Sequence, residues 1–352
     1  MKSSIHTTAQ LAEMLGVSRW TISRALNHQS GLNEGTAEKI RAAAREHGFT
    51  PNILGRGLRA GKTDLIGICV PDLVDYFLTN KISRLREAVA LRGFHPVMQI
   101  INAVPAEENA ALERFAAMRC GGVVTIASRL HRSDPSLRRL HSSGIPVVQI
   151  DPINPERQGS VTTDRQFAMR LAVEHFHDFG HRQLVAMGFN LKNSYGRQRI
   201  RGLLQACHTH GWDFRNDIVW LDWEHAGDDF ERGELFAGDY LALKDRPTAI
   251  LAINDRVALG AMHQLQKAGL HVPVDVSILG YDNADFCSYT TPSLSSVDPQ
   301  VGSLIEHAVE MLLPLAPREI VADGKSLRIQ PRLAARESTG SAPTSTASQP
   351  AS

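Results

Sequence analysis

Two short amphipathic stretches joined at Gly16 constrain this chain more than any other feature. Residues 7–27 read Thr-Thr-Ala-Gln-Leu-Ala-Glu-Met-Leu-Gly-Val-Ser-Arg-Trp-Thr-Ile-Ser-Arg-Ala-Leu-Asn. Thr7 and Gln10 stand at capping-box spacing, which starts one helix. Leu11, Ala12 and Leu15 share a face of it, and Gly16 supplies the positive φ that ends it. Ser18 caps a second helix in which Ile22, Ala25 and Leu26 turn inward beside Val17. A third helix runs from a cap at Asn33 to His47, with Gly48 just past its end and Ile40, Ala43 and Ala44 inward. The pattern is a helix-turn-helix, whose second helix enters the major groove of duplex DNA.

The outward face of the second helix carries the chemistry. Arg19 and Arg24 each present a guanidinium fork that matches guanine O6 and N7. Trp20 can cover a thymine methyl or pack on the sugar-phosphate backbone. The hydroxyls of Ser18, Thr21 and Ser23 and the helix N-terminus suit phosphate oxygens, which set register rather than sequence, and Thr7 and Asn27 are counted with them as DNA-binding residues. Residues 51–62, Pro-Asn-Ile-Leu-Gly-Arg-Gly-Leu-Arg-Ala-Gly-Lys, form a basic strip with three glycines. Each glycine weakens a helix by about 0.5–1 kcal/mol relative to alanine, so this strip orders only against something else. Asn52, Arg56 and Arg59 face a polyanion there, and Leu58 has the composition of a minor-groove wedge. A plain linker has the same composition.

Charge is distributed to match. The net charge is +1, yet residues 1–62 hold nine Lys and Arg against four Asp and Glu, a balance of +5 that leaves −4 for the rest. A cationic head on a mildly anionic body suits a polyanion at the head alone. No apolar leader and no run of 18 apolar residues is read, which implies neither export nor membrane spanning, and a bacterial cytoplasmic, nucleoid-associated location is expected. Cys69, Cys120, Cys207 and Cys287 are scattered without Cys-x-x-Cys spacing, so free thiols and no structural metal are expected. The histidines, His175, His177 and His181 among them, lie in no metal-binding motif. No phosphate loop or nucleophile elbow is found, and neither catalysis nor a cofactor is expected.

From Thr63 onward apolar runs alternate with amphipathic stretches. The runs are 65–70, 97–101, 122–127, 146–150, 184–188, 249–253 and 276–280; the helical stretches are 82–92, 106–118, 166–179, 199–210 and 257–268. Short buried strands alternating with helices predict parallel sheets covered on both faces, here two doubly wound α/β lobes. Asp72, Ser128, Asp151, Asn254 and Asp282 each follow an apolar run, at the strand ends where open α/β sheets take their ligands. Arg199 adds a fork donor, and Trp223 or the pair Tyr76 and Phe77 offers an aromatic plate. Polar hydrogen-bonding groups beside such a plate suit a sugar better than a lipid or a metal.

Thr-Thr-Ala-Gln-Leu-Ala at 7–12, Gly-Val-Ser-Arg-Trp-Thr-Ile-Ser-Arg-Ala-Leu-Asn at 16–27 and Phe-Thr-Pro-Asn-Ile-Leu-Gly-Arg-Gly-Leu-Arg-Ala-Gly-Lys-Thr at 49–63 resemble the reader and hinge of the lactose/galactose-repressor (LacI/GalR) family. The likeness continues from Leu65-Ile66-Gly67-Ile68 to Arg336-Glu337-Ser338-Thr339. It implies that Arg19, Trp20 and Arg24 occupy base-reading positions and that Leu58 is an intercalating leucine. It also implies that Asp72, Asp151, Arg199, Trp223, Asn254 and Asp282 hold an effector between two lobes like those of periplasmic binding proteins. Two departures stand out. Gly55 replaces the usual alanine in the hinge, and Asp75-Tyr76-Phe77-Leu78 replaces Asn-Pro-Phe-Phe after the first strand.

The resemblance places the lobe crossings near 160, 297 and 323. The expected organisation is a helix-turn-helix domain at 1–50, a hinge at 51–62, one lobe at 63–160 with 298–322, a second at 161–297 with 323–339, and a disordered tail at 340–352. No leucine heptads are present to join dimers, so a homodimer on a roughly palindromic DNA site is expected. The expected function is transcription regulation, with repression as its form and a carbohydrate effector as its control. A sugar-binding receptor without DNA-linked regulation is the alternative.

Overall fold

The computed structural model describes residues 7–26, 31–49, 63–71, 76–131, 133–153, 159–189, 191–192, 194–221, 227–313 and 326–343. Two compact units divide the chain, Met1–Asp64 and Leu65–Ser352. In the first, α1 (Thr8–Leu15), α2 (Arg19–Leu26) and α3 (Glu34–Glu46) follow the expected stops and starts. Both arms of the Thr7–Gln10 capping box form, and Gly16 takes φ 63° at the end of α1. Asn33 accepts from the Thr36 N–H at 3.3 Å to cap α3. Leu11, Ala12, Ile22, Ala25, Ala37, Ile40, Ala44 and Phe49 form the core, with Leu15, Val17, Leu26, Leu32 and Ala43 packed around it. Phe49 closes that core from beyond α3, because the Phe49 N–H returns to the Ala44 carbonyl at 2.8 Å.

The second unit holds two six-stranded sheets. The first contains β1 (Leu65–Val70), β2 (His95–Ile100), β3 (Gly122–Ile126), β4 (Val147–Ile150), β5 (Ser160–Thr163) and β11 (Ser326–Ile329), in the order β11-β5-β4-β3-β1-β2. Every pairing in it is parallel. Helices α4 (Tyr76–Leu91) and α11 (Val301–Leu312) share one apolar core with it. Helices α5 (Pro105–Ala117) and α6 (Pro135–Ser142) share another.

The second sheet contains β6 (Leu184–Met187), β7 (Ile218–Leu221), β8 (Ala249–Ala252), β9 (Ser277–Tyr281), β10 (Ser295–Asp298) and β12 (Arg332–Ala334), in the order β12-β10-β9-β8-β6-β7. Only its β10–β12 pairing is antiparallel. Its core takes in α7 (Arg165–Asp178), α8 (Ser194–Thr209), α9 (Asp229–Ala242) and α10 (Asp255–Lys267). Helices α9 and α10 touch backbone to backbone. A Cβ on Gly260 would stand 2.0 Å from the Phe230 carbonyl oxygen, and one on Gly233 2.2 Å from that of Val257.

Strand order corrects the expected lobe boundaries. β5 and β11 both belong to the first sheet, so the chain passes between lobes after Thr163, after Asp298 and between Ile329 and Arg332, rather than near 160 and 323. β5, Ser-Val-Thr-Thr, shows no apolar run because buried hydroxyls line one of its faces. The expected disorder of the tail also needs correction at its start. The Gly340 N–H donates to Ser277 Oγ at 3.0 Å, and the Ala342 N–H to the Phe179 carbonyl at 2.8 Å. Residues 344–352 lie outside the described residues. All four cysteines are free and buried. No described helix is long and apolar enough to cross a membrane. Among the described residues no group of three His, Cys, Asp or Glu could hold a metal ion.

Candidate functional site

In the reader unit, Arg19, Trp20 and Ser23 are exposed along α2, and Ile22 and Ala25 are buried on the opposite side. This split is the helical period at work. Ser18 accepts from the Thr21 N–H at 3.0 Å, and the two hydroxyls bond at 2.8 Å, so both residues start the helix as well as face outward. Thr7 does the same for α1, with its hydroxyl 3.2 Å from the Gln10 N–H. Arg24 departs from a simple outward fork. Its guanidinium lies 4.6 Å from the Trp20 ring centroid and is half-buried there. Asn27, Asn52, Arg56, Leu58 and Arg59 lie outside the described residues.

In the two-lobed unit the expected polar residues stand at carboxyl ends of strands, because a parallel sheet brings all those ends to one side. Ser128 follows β3, Asp151 follows β4, Asn254 follows β8 and Asp282 follows β9. Ser128 and Asn254 occupy the positions where strand order reverses, between β1 and β3 and between β6 and β8, the usual ligand crevice of doubly wound sheets. Four residues at these ends carry positive φ without being glycine: Ala127 at 54°, Asp151 at 46°, Asp282 at 104° and Asn283 at 49°. Such strain persists only where surrounding contacts hold it, and it clusters at binding sites.

Asp151 is 2 % exposed and joins the lobes. Lys81, from α4, donates to Oδ2, while Oδ1 receives Arg165 Nη2 at 2.9 Å and the Thr163 N–H at 2.9 Å. Arg165 is the first residue of α7, in the other lobe, and its guanidinium stacks 4.1 Å from the Tyr195 ring centroid. The Tyr195 hydroxyl, from α8, donates to the Asp151 carbonyl. Burial pushes the Asp151 carboxyl up, but the charges of Arg165 and Lys81 and the hydrogen bonds from Lys81 and Thr163 outweigh it. They hold the group well below the usual carboxylate range. Both oxygens are thus engaged by the protein, which makes Asp151 a positioning residue rather than an open acceptor. Lys81 also lies 4.3 Å from the Phe77 ring centroid.

Arg199 donates from Nη1 to the Ile253 carbonyl at 3.1 Å and stacks 4.0 Å from the Tyr281 ring centroid. Its Nε is sealed from solvent without a hydrogen-bond partner. Beside it, Asn254 caps α10 by accepting from the Val257 N–H at 2.9 Å and gives its amide to Asp229 at 2.8 Å. Tyr281 marks where the expected residues converge. Burial pushes its phenol up; the charges of Arg199 and Arg165 pull it down, and those of Asp282 and Asp151 push it further up. Arg199, stacked on the Tyr281 ring, and Asp282, the next residue in the chain, therefore share one neighbourhood. Ser128 is buried with its Oγ 3.3 Å from the Leu130 N–H. Asp72, Trp223 and the side chain of Tyr76 lie outside the described residues.

Lys81, Arg165, Tyr195, Asp229 and Tyr281 escaped the reading of the sequence. For Arg165 the signal was its place immediately after the Asp164 cap that follows a strand. For Lys81 it was a lysine at helical spacing from Phe77 and Leu78, on the face that Ile82 and Leu85 bury.

Residues 7–52 match the family described as "Bacterial regulatory proteins, lacI family", and residues 173–339 match the "Periplasmic binding protein-like domain". The HTH-type transcriptional repressor PurR of Photobacterium profundum is 27% identical over 310 residues, which span 87% of this chain and 91% of that protein. The Lac repressor dimer bound to operator and the anti-inducer ONPF superimposes with a TM-score of 0.79 at 24% identity, over 95% of this chain and 99% of that one. The complex of the transcriptional regulator CelR with cellobiose gives a TM-score of 0.63 at 23% identity, over 94% and 99%. A three-helix reader, two doubly wound lobes and sequence likeness along nearly the whole chain lead to one conclusion: this protein belongs to the lacI family of bacterial regulatory proteins.

Proposed function

We propose that the chain is a homodimeric repressor that grips a roughly palindromic operator and releases or tightens it when a carbohydrate enters between its lobes. The observation that carries this reading is the Asp151 junction. Arg165 and Tyr195 from one lobe and Lys81 from the other meet on a single buried residue, at the strand ends that carry Ser128, Asn254 and Asp282. A ligand seated there makes different contacts when the lobes rotate, and that difference is what linkage requires.

Arg199, Asn254, Asp282 and Ser128 hold the sugar hydroxyls in this reading, with Asp72, Tyr76, Phe77 and Trp223 completing the pocket. At the other end, Arg19 and Arg24 contact bases, while Thr7, Ser18, Thr21, Ser23 and Asn27 contact phosphates. Residues 51–62 act as a hinge that orders on DNA, with Leu58 in the minor groove and Asn52, Arg56 and Arg59 on the backbone. The protein works in the cytoplasm, beside the chromosome. Repression as the sign of control and a carbohydrate as the effector draw on the names of the PurR and CelR relatives.

The test starts from duplexes enriched out of a random-sequence pool by the full-length protein, followed by gel shifts in the presence of monosaccharides, disaccharides, sugar acids or nucleosides. The expected result is a palindromic site whose affinity falls steeply with salt and changes with one sugar. No sequence preference at moderate ionic strength with any metabolite would overturn the DNA half. A nucleoside as the sole active compound would overturn the carbohydrate half.

A further inference from the structure

We propose that Trp20 is a positioning residue for Arg24: its ring fixes the guanidinium on which base selectivity rests, and Trp20 does not itself read a base. This rests on the DNA-reading role of α2 and adds a division of labour within it.

Trp20 and Arg24 are four residues apart on α2, which places both side chains on one face one turn apart. Their contact is face to ring, with the guanidinium 4.6 Å from the indole centroid. Gly31 forms the opposite wall. A Cβ built there would fall 2.8 Å from Arg24 Nη2, so a larger residue would make the guanidinium shift from this place, and φ 90° at Gly31 favours glycine independently. Between these walls Arg24 Nε is sealed from solvent and has no hydrogen-bond partner. The donors of Arg24 that remain able to reach a ligand are those of the terminal nitrogens, and a fork of two parallel N–H groups is what guanine O6 and N7 accept.

Trp20 is 61% exposed, yet its face is already in use. An arginine on an open surface loses side-chain freedom when it docks, whereas one already held between a ring and a backbone loses less. Stacking thereby converts a flexible cation into an oriented one, as cation–π pairs do elsewhere. Arg19 lacks such a wall among the described contacts, which leaves it suited to a looser base contact.

The experiment uses the full-length protein and the duplex that wild type enriches from a random pool. Binding is compared across all single base-pair changes in that duplex for wild type, Arg24→Ala, Trp20→Ala, Trp20→Phe, Trp20→Leu and the Arg24→Ala/Trp20→Ala double variant. Arg24→Ala is expected to erase discrimination at one base pair per half-site by roughly tenfold or more. Trp20→Ala and Trp20→Leu are expected to weaken discrimination at that same base pair by about 2- to 5-fold, and at no other base pair of the duplex. Trp20→Phe retains it, and the double variant is no less selective there than Arg24→Ala. Trp20 lies outside the buried core of the unit, so a thermal melt matching wild type is expected for each Trp20 variant. Loss of discrimination at a different base pair, or additive losses in the double variant, would overturn the proposal by making Trp20 a reader itself. An unchanged profile in both Trp20→Ala and Trp20→Leu would overturn it as well. Failure of wild type to enrich any duplex is a separate outcome, which removes the DNA-reading role on which the proposal stands.

Discussion

In one lobe Asp151 lies between two cations, Lys81 and Arg165; in the other Asp255 lies among neutral donors. Asp255 is 1 % exposed at the first turn of α10. It accepts from Ser296 Oγ at 2.6 Å and from the Ala284 N–H at 2.7 Å. Burial raises its carboxyl to about 6, and these hydrogen bonds only limit the rise. The same side chain, equally hidden from water, is held ionised in one lobe and brought near neutrality in the other. What decides is the charge of the nearest partners rather than depth. The functional difference follows. Asp151 fastens one lobe to the other, whereas Asp255 fastens α10 to the loop that begins at Asp282 within a single lobe.

The strongest way to break this contrast is Asp151→Asn, which leaves Lys81 and Arg165 buried without a counter-charge. A loss of about 3–5 kcal/mol is expected in denaturant unfolding, well above that of Asp255→Asn. Equal losses would mean that the cations add nothing. The next is pH. The folded Asp255 takes up its proton near pH 6 and the unfolded one near its ordinary value of 3.8, so the folded state holds the extra proton in between. Relative to Asp255→Asn, wild type should gain up to about 2–3 kcal/mol of stability as pH falls from 7 to 4. Asp151 behaves in the opposite sense, because its folded pKa is depressed. Its contribution is complete above about pH 4 and is lost only in strong acid.

A packing defect in the same lobe calibrates both. Gly260→Ala drives a methyl into the Phe230 carbonyl and should cost about 1–3 kcal/mol at every pH between 5 and 8, measured by thermal unfolding. Smallest of all, Arg139→Ala removes an ion pair with Glu113 that stays in water, 63% and 38% exposed. A change within about 0.5 kcal/mol is expected from chemical denaturation. A larger one would show that an ion pair need not be buried to matter here.

Legibility in the sequence followed the range of the interactions. The reader could be worked out residue by residue, since Thr7, Gly16, Ser18, Asn33 and Gly48 act on neighbours within four positions and the apolar face repeats with the helix. The strands 65–70, 122–127 and 249–253 announced themselves as apolar runs because both faces of their sheets are covered. β5 and β10 did not, since Ser160, Thr162, Ser295 and Ser296 are buried hydroxyls whose partners are Ser326, Leu327, Thr339 and Asp255, far along the chain. Asp151 and Asp282 were singled out by their place after apolar runs, and Arg199, which lies within α8, by its fork of donors. Nothing local told that Asp151 was already taken, because Lys81 lies 70 residues away from it in sequence. Phe49 was missed as a core residue because it stands beyond the helix that it seals.

The segments 326–329 and 332–340 carry a consequence for how the protein is made. The first sheet is incomplete without β11, and the second without β12 and the stitches at Arg336, Ser338 and Gly340, where Ser338 Oγ meets the Ile278 carbonyl at 2.6 Å and receives the Ser295 N–H at 2.8 Å. During synthesis neither half of the body can close until almost the entire polypeptide has left the ribosome, while the three-helix head has everything it needs within its first fifty residues. A nascent or prematurely terminated chain would thus carry a finished head on an unfinished body: an object able to approach nucleic acid, yet deaf to any metabolite.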